Sequence, residues 1–271
     1  MKISTMKKFI IPIIILAFII PLLAACQQTK MGTLLVTANG EDFIRQGFRS
    51  KDGWSLSFEQ VLISLTNINA YQTDPPYVAA ADSRLAIKEK VSLKESYLVD
   101  LAAGDENAEP ISIDSVSAPV GHYNAVSWEM VKALEGALQG NSLQLVGWAE
   151  KDGQSIPFTI SFAEEYRFFA GEYVGDVRKG FVNQGEEGEV ELTLHFDHLF
   201  GDFNLALDAE PNSQAIGFAP FAALAVNGEI SITAEMLKQK FTADDYQRLL
   251  EILPGLAHVG EGHAIAEVIG D

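Results

Sequence analysis

From Thr33 onward, apolar residues recur at every second position over long stretches, the period of half-buried strands. Thr33-Leu34-Leu35-Val36-Thr37 predicts a buried strand. Trp54, Leu56 and Phe58 alternate with Ser55 and Ser57, and Val61-Leu62-Ile63-Ser64-Leu65 continues the pattern. Lys51-Asp52-Gly53 and Lys151-Asp152-Gly153 read as hairpin turns. Around the second, Asn141 to Trp148 and Ile156 to Phe162 predict the arms of a hairpin. From Glu189 to His195, Val190, Leu192 and Leu194 share one face, with Glu191, Thr193 and His195 on the other.

Helical spacing enters late. Thr233, Met236-Leu237 and Phe241 predict a short helix. Thr242-Ala243-Asp244-Asp245 opens a second, with Tyr246, Leu249, Leu250 and Leu253 on one face before Pro254-Gly255 stop it. The predicted architecture is mainly β: an antiparallel β-sandwich with a small helical C-terminal appendage over about 233–253. No internal repeat or long linker interrupts residues 32–271, which predicts a single domain.

The first residues follow another pattern. Lys2, Lys7 and Lys8 precede an uncharged apolar run from Phe9 to Ala25. A basic end, a short apolar stretch and small residues at its exit are the parts of a secretory signal. The run falls short of the roughly 20 apolar residues that span a bilayer core. It ends Leu22-Leu23-Ala24-Ala25-Cys26, which resembles the lipobox of bacterial lipoproteins. That resemblance implies a signal peptide over 1–25, palmitate-type acylation of Cys26, and a tether over 26–31. It places the chain in the bacterial cell envelope, lipid-anchored outside the cytoplasm. Gln27 after the cysteine resembles the outer-membrane sorting pattern, on the periplasmic or the outer face, if the cell is Gram-negative.

Composition narrows the chemistry. Cys26 is the only cysteine, which excludes a disulfide framework and a cysteine-based metal cluster. With 37 acidic and 19 basic residues the formal charge is −18, and loss of the leader's three lysines takes it to −21. So acidic a body has no clustered cations for phosphates, and no nucleic-acid partner is expected. Phosphate loops, nucleophile elbows, zinc-protease helices and dinucleotide fingerprints are missing from the sequence, so no enzyme is expected.

A second resemblance lies in the body. Tyr97-Leu98-Val99-Asp100-Leu101 and Ala118-Pro119-Val120-Gly121-His122-Tyr123-Asn124 resemble the pattern of a family of bacterial lipoprotein β-sandwich domains of unknown function. The match runs over roughly 32–131. It implies an extracytoplasmic sandwich and no established chemistry.

The histidines lie mostly outside that stretch. Four of the five form two close pairs, each with a carboxylate: His195, Asp197 and His198, then His258, Glu261 and His263. Imidazole is the commonest metal side-chain ligand, and two pairs can close one coordination shell. These six residues form the candidate site for a divalent transition metal (Zn, Cu, Co, Ni or Fe), held for storage, delivery or sensing. A metal-transport or surface partner would then be served. His122, between Gly121 and Tyr123, reads as a surface residue. The competing reading is a surface interaction or adhesion module in which the histidines are incidental.

Overall fold

A computed structural model describes residues 29–79, 84–171, 180–259 and 262–270. The segment expected to be a signal peptide, Cys26 and Glu261 lie outside the described residues. The first half of the chain forms β1 (Met31–Asn39), α1 (Glu41–Gln46), β2 (Phe48–Arg49), β3 (Ser55–Thr73), β4 (Ile87–Leu93), β5 (Tyr97–Asp100), β6 (Ile111–Pro119), β7 (Gly121–His122) and β8 (Ala125–Met130). Next come β9 (Leu143–Lys151), β10 (Gln154–Phe162), β11 (Tyr166–Gly171), β12 (Phe181–Val182), β13 (Glu187–Leu194), α2 (Asp197–Phe200) and α3 (Ala219–Ala222). The last part holds β14 (Ile230–Ile232), α4 (Ala234–Lys240), α5 (Ala243–Ile252), a 3-10 turn (Leu253–Leu256), β15 (Ala257–Val259), β16 (Gly262–His263) and β17 (Ile265–Val268).

The molecule is mainly β, a sandwich of two sheets. The smaller runs β16-β15-β13-β1-β6, and the larger runs β14-β10-β9-β3-β8-β11-β17. The alternating run after Trp54 and its continuation at Val61 to Leu65 form one 19-residue strand, β3. It pairs with β9 and β8 along one edge and with β2, β5 and β4 along the other. Register shifts at Phe58/Gln60 and Thr66/Asn69 let so long a strand bend, and Asn67 takes φ 50° in the second. At the first, Gly147 passes so near Ser57 that an added Cβ would sit 2.0 Å from its carbonyl oxygen.

Both Lys-Asp-Gly turns form. The first closes β2 onto β3, with Ser50 N–H donating to the Trp54 carbonyl. In the second, Asp152 and Gly153 both have positive φ, which suits a two-residue hairpin between twisted strands. One expectation is corrected: the sheets are not purely antiparallel, since β1 runs parallel to β13 and β10 parallel to β14. Both pairs join strands far apart in sequence, where no tight turn dictates direction.

A main core cluster joins the two sheets. Leu34, Val36, Val190, Leu192 and Leu194 from the small sheet meet Val61, Ile63, Trp128, Leu145 and Phe158 from the large one. Trp54 and Trp128 are buried as strand aromatics tend to be. Trp148 faces outward instead, its indole donating to Glu59 Oε1 at 2.9 Å.

The helices lie where their spacing predicts, each capped by a threonine. Thr233 accepts from Met236 N–H, and Thr242 from Asp245 N–H. They do not end the fold. After the 3-10 turn the chain re-enters the small sheet as β15 and the large sheet as β17. This return carries the second histidine pair into the sandwich. Among the described residues no helix is long and apolar enough to cross a membrane.

Candidate metal centre

The alternation read from Glu189 to His195 decides where the first histidine goes. Val190, Leu192 and Leu194 enter the core, which leaves Glu191 and Thr193 on the outer face. The strand stops at Leu194, and His195 N–H then donates to the carbonyl of Leu256 in the 3-10 turn. One row crosses this outer face: Asn39 pairs with Thr193, Thr193 with His258, and His258 with His263. His258 and His263 are therefore direct cross-strand neighbours, although four residues separate them in sequence.

The turn expected at Asp197 is the short helix α2, and it brings His198 to the same place. The rings of His195 and His258 stack with centroids 3.9 Å apart and planes inclined by 27°. His198 stands 5.1 Å from His258 and nearly perpendicular to it. His263 lies 4.3 Å from His258 and 6.0 Å from His198. One nitrogen from each of His195, His198 and His258 lies within 4.8 Å of the other two. Bonds of 2.0–2.1 Å to a tetrahedral ion set nitrogens about 3.4 Å apart, so modest side-chain adjustment closes the group on a metal.

Hydrogen bonding prepares these rings. His198 Nδ1 is 3.0 Å from the Gly255 carbonyl. A carbonyl only accepts, so Nδ1 carries the proton and Nε2 keeps a free lone pair, the arrangement of a metal-ligating imidazole. His258 is buried, at 4% exposure, yet neither of its ring nitrogens has a hydrogen-bond partner among the described residues. A buried polar atom without a partner costs about 1–3 kcal/mol, so this ring is held at a loss to the fold. His195 Nε2 is also buried and without a hydrogen bond among the described residues, although Glu41 Oε1 stands 3.3 Å away.

The electrostatics agree with neutral rings. Burial, reinforced by His198 and His263, lowers the pKa of His195 to about 4. Burial and then the neighbouring histidines, His195 first, lower His258 to about 3. The Gly255 carbonyl pulls His258 weakly the other way from outside hydrogen-bonding geometry. At neutral pH both are already deprotonated, as a metal requires of its ligands.

Not every predicted residue joins. Asp197 was expected to share a face with His195 on an extended strand. The strand ends first, and Asp197 becomes the first residue of α2, outside the triangle of nitrogens. Its carboxyl is buried, which raises its pKa against the opposing pull of His198. His122 is exposed, as its position suggested, and stacks on Phe181 at 4.0 Å. A cleft of about 450 Å³ opens beside the cluster, lined by His198 and His263 with Glu210, Gln214 and Glu251.

Glu41 is the residue that sequence reasoning missed. It follows β1, more than 150 positions from His195, and no periodicity links the two. The signal is a conformational one: Glu41 has φ 58°, unusual for a non-glycine residue, with its N–H held by Asn39 Oδ1 at 2.9 Å.

The fold and the cluster define a β-sandwich that brings four histidines together at one end of its smaller sheet. No family model, curated protein or solved structure matches the chain.

Proposed function

We propose that this chain is a lipid-anchored envelope protein that holds one divalent transition-metal ion on His195, His198 and His258, with His263 completing the shell. The observation that carries the reading is the convergence of imidazoles from three elements around His258, whose two buried ring nitrogens have no hydrogen-bond partner among the described residues. Imidazole ligands suit Zn²⁺, Cu²⁺, Co²⁺, Ni²⁺ and Fe²⁺, and affinity alone does not choose among them. Four imidazoles fill a tetrahedral shell and leave no position for a reacting water, which favours storage, delivery or sensing over catalysis. Glu41 supplies a carboxylate beside His195, the type of outer partner that orients a ligating ring. The acidic cleft at His198 and His263 offers a cation a way in. The anchor rests on the lipobox-like Leu22-Leu23-Ala24-Ala25-Cys26 and the basic-apolar leader before it.

Calorimetric titration of Zn²⁺, Cu²⁺ and Co²⁺ into the metal-free chain from Gln27 onward is the test. One equivalent should bind. His198→Ala and His263→Ala should each weaken binding, and the double variant should lose less than the sum of the two. Strictly additive losses would mean two separate sites. Unchanged binding in both single variants would return the histidines to an incidental role.

A further inference from the structure

We infer that the end of the sandwich where β1 begins is a membrane-contact surface, with Met31, Val120 and Phe181 resting on the lipid that holds the anchor. The inference depends on acylation of Cys26, which is part of the function proposed above. Four residues lie between Cys26 and Met31, so the five steps along the chain from one to the other span at most about 18 Å. Whatever surrounds Met31 is therefore held at the bilayer.

Three exposed apolar side chains stand there, beside the exposed polar residues Lys30, Asn183 and Glu186. Met31 is 40%, Val120 36% and Phe181 53% accessible. They are neighbours by register rather than by sequence. Met31 pairs with Pro119, and Val120 N–H donates to the Lys30 carbonyl at 2.9 Å. Phe181 pairs with His122, two residues after Val120, and its ring lies flat on the imidazole. Gly185 N–H closes the group by donating to the Met31 carbonyl. An aromatic ring with a polar companion is the kind of side chain that settles at the headgroup level of a bilayer. The chain's formal charge, −18 with the leader and −21 without it, repels an anionic surface, so the surface fits zwitterionic lipid.

The consequence reaches the metal centre. β1 starts at this surface and ends at Asn39, in the row that contains His258 and His263. Eight steps of about 3.3 Å put the histidines roughly 26 Å further along the strand from the lipid. The site then lies at the far end of β1 from the anchoring membrane, within reach of a soluble donor or acceptor of metal.

The test uses the full chain carrying Phe181→Trp, with Val120→Trp as a second variant. Acylation of Cys26 is read by mass spectrometry, folding by circular dichroism, and the protein is placed in phosphatidylcholine vesicles with and without brominated acyl chains. The wild type provides the baseline, since Trp54 and Trp128 are buried and Trp148 alone is exposed. The emission that either substitution adds should be lost on brominated lipid while the baseline is kept. An acylated chain whose added emission survives in both variants overturns the contact surface but leaves the anchor standing. A chain without acyl mass overturns the anchor and the surface together. A dimer in detergent that Phe181→Asp dissolves, with emission unquenched in vesicles, would assign the patch to a second copy and overturn the membrane contact.

Discussion

His258 is the residue on which the site turns, because its burial is costly without a ligand and useful with one. Replacing it by leucine keeps most of the volume and removes two buried nitrogens that have no partner among the described residues. His258→Leu should therefore stabilise the metal-free protein, by up to about 1–3 kcal/mol in urea unfolding, while metal binding is lost. A variant less stable than wild type without metal would mean that the ring is satisfied in solution by partners absent from the geometry described above. The depressed pKa values of His195 and His258 carry a pH dependence of definite sign. The fold accepts their neutral forms, so nothing is lost above the ordinary value of 6.5. Below it the unfolded chain binds protons that the folded chain refuses until about 4 for His195 and about 3 for His258. Stability of the metal-free protein should therefore fall as pH drops from 6.5 toward 4. Asp197 runs the other way: its pKa is raised, so its contribution is complete below 3.8 and fades as pH rises through its folded value. Urea midpoints at pH 7 and pH 5, for wild type and His258→Leu, separate these effects. A drop of equal size in both proteins would remove His258 from the account.

The decisive elements are the shortest. β15 has three residues and β16 two, yet they place His258 and His263 beside the end of β13. β17 then pairs with β11 on the other sheet, from Tyr166↔Val268 to Phe169↔Ile265. The C-terminal tail is thus a stitch between the two layers. Ala257 and Val259 are fully part of the core. A chain ended at Leu256 should lose at least the roughly 1.5–3 kcal/mol that burial of one valine side chain contributes. Thermal melting reads the loss, and an unchanged midpoint would show that the tail is dispensable. Nothing in the apolar pattern of Ala257 to His263 is long enough to announce a strand. It acquires that form because β13 offers an open edge there.

For the whole molecule, the proposed anchor and the proposed metal centre give the sandwich a direction. Several acyl chains on one cysteine hold a protein far more firmly than a single chain does. Cys26→Ser should abolish incorporation of radiolabelled palmitate and leave the precursor uncleaved or misplaced. Equal labelling of wild type and variant would remove the anchor, and with it any fixed orientation of the site.

Much of this was legible in the amino-acid sequence because it is local. Alternation at Trp54 to Phe58 and Glu189 to Leu194 separates core face from outer face wherever a strand forms. Lys-Asp-Gly turns, threonine caps and the Pro254-Gly255 stop act within a few residues of themselves, and each appears in the structure in its expected place. Even the grouping of two histidine pairs was visible, as an arithmetic concentration in a histidine-poor chain. Tertiary structure alone decided the rest. The parallel pairing of β1 with β13 brings Asn39 and Glu41 to histidines more than 150 positions away. The fate of Asp197 depended on where β13 met the 3-10 turn, since one residue of strand more or less moves a side chain to the opposite face. Long-range register is set by the joint packing of both sheets, and no window of sequence contains that information.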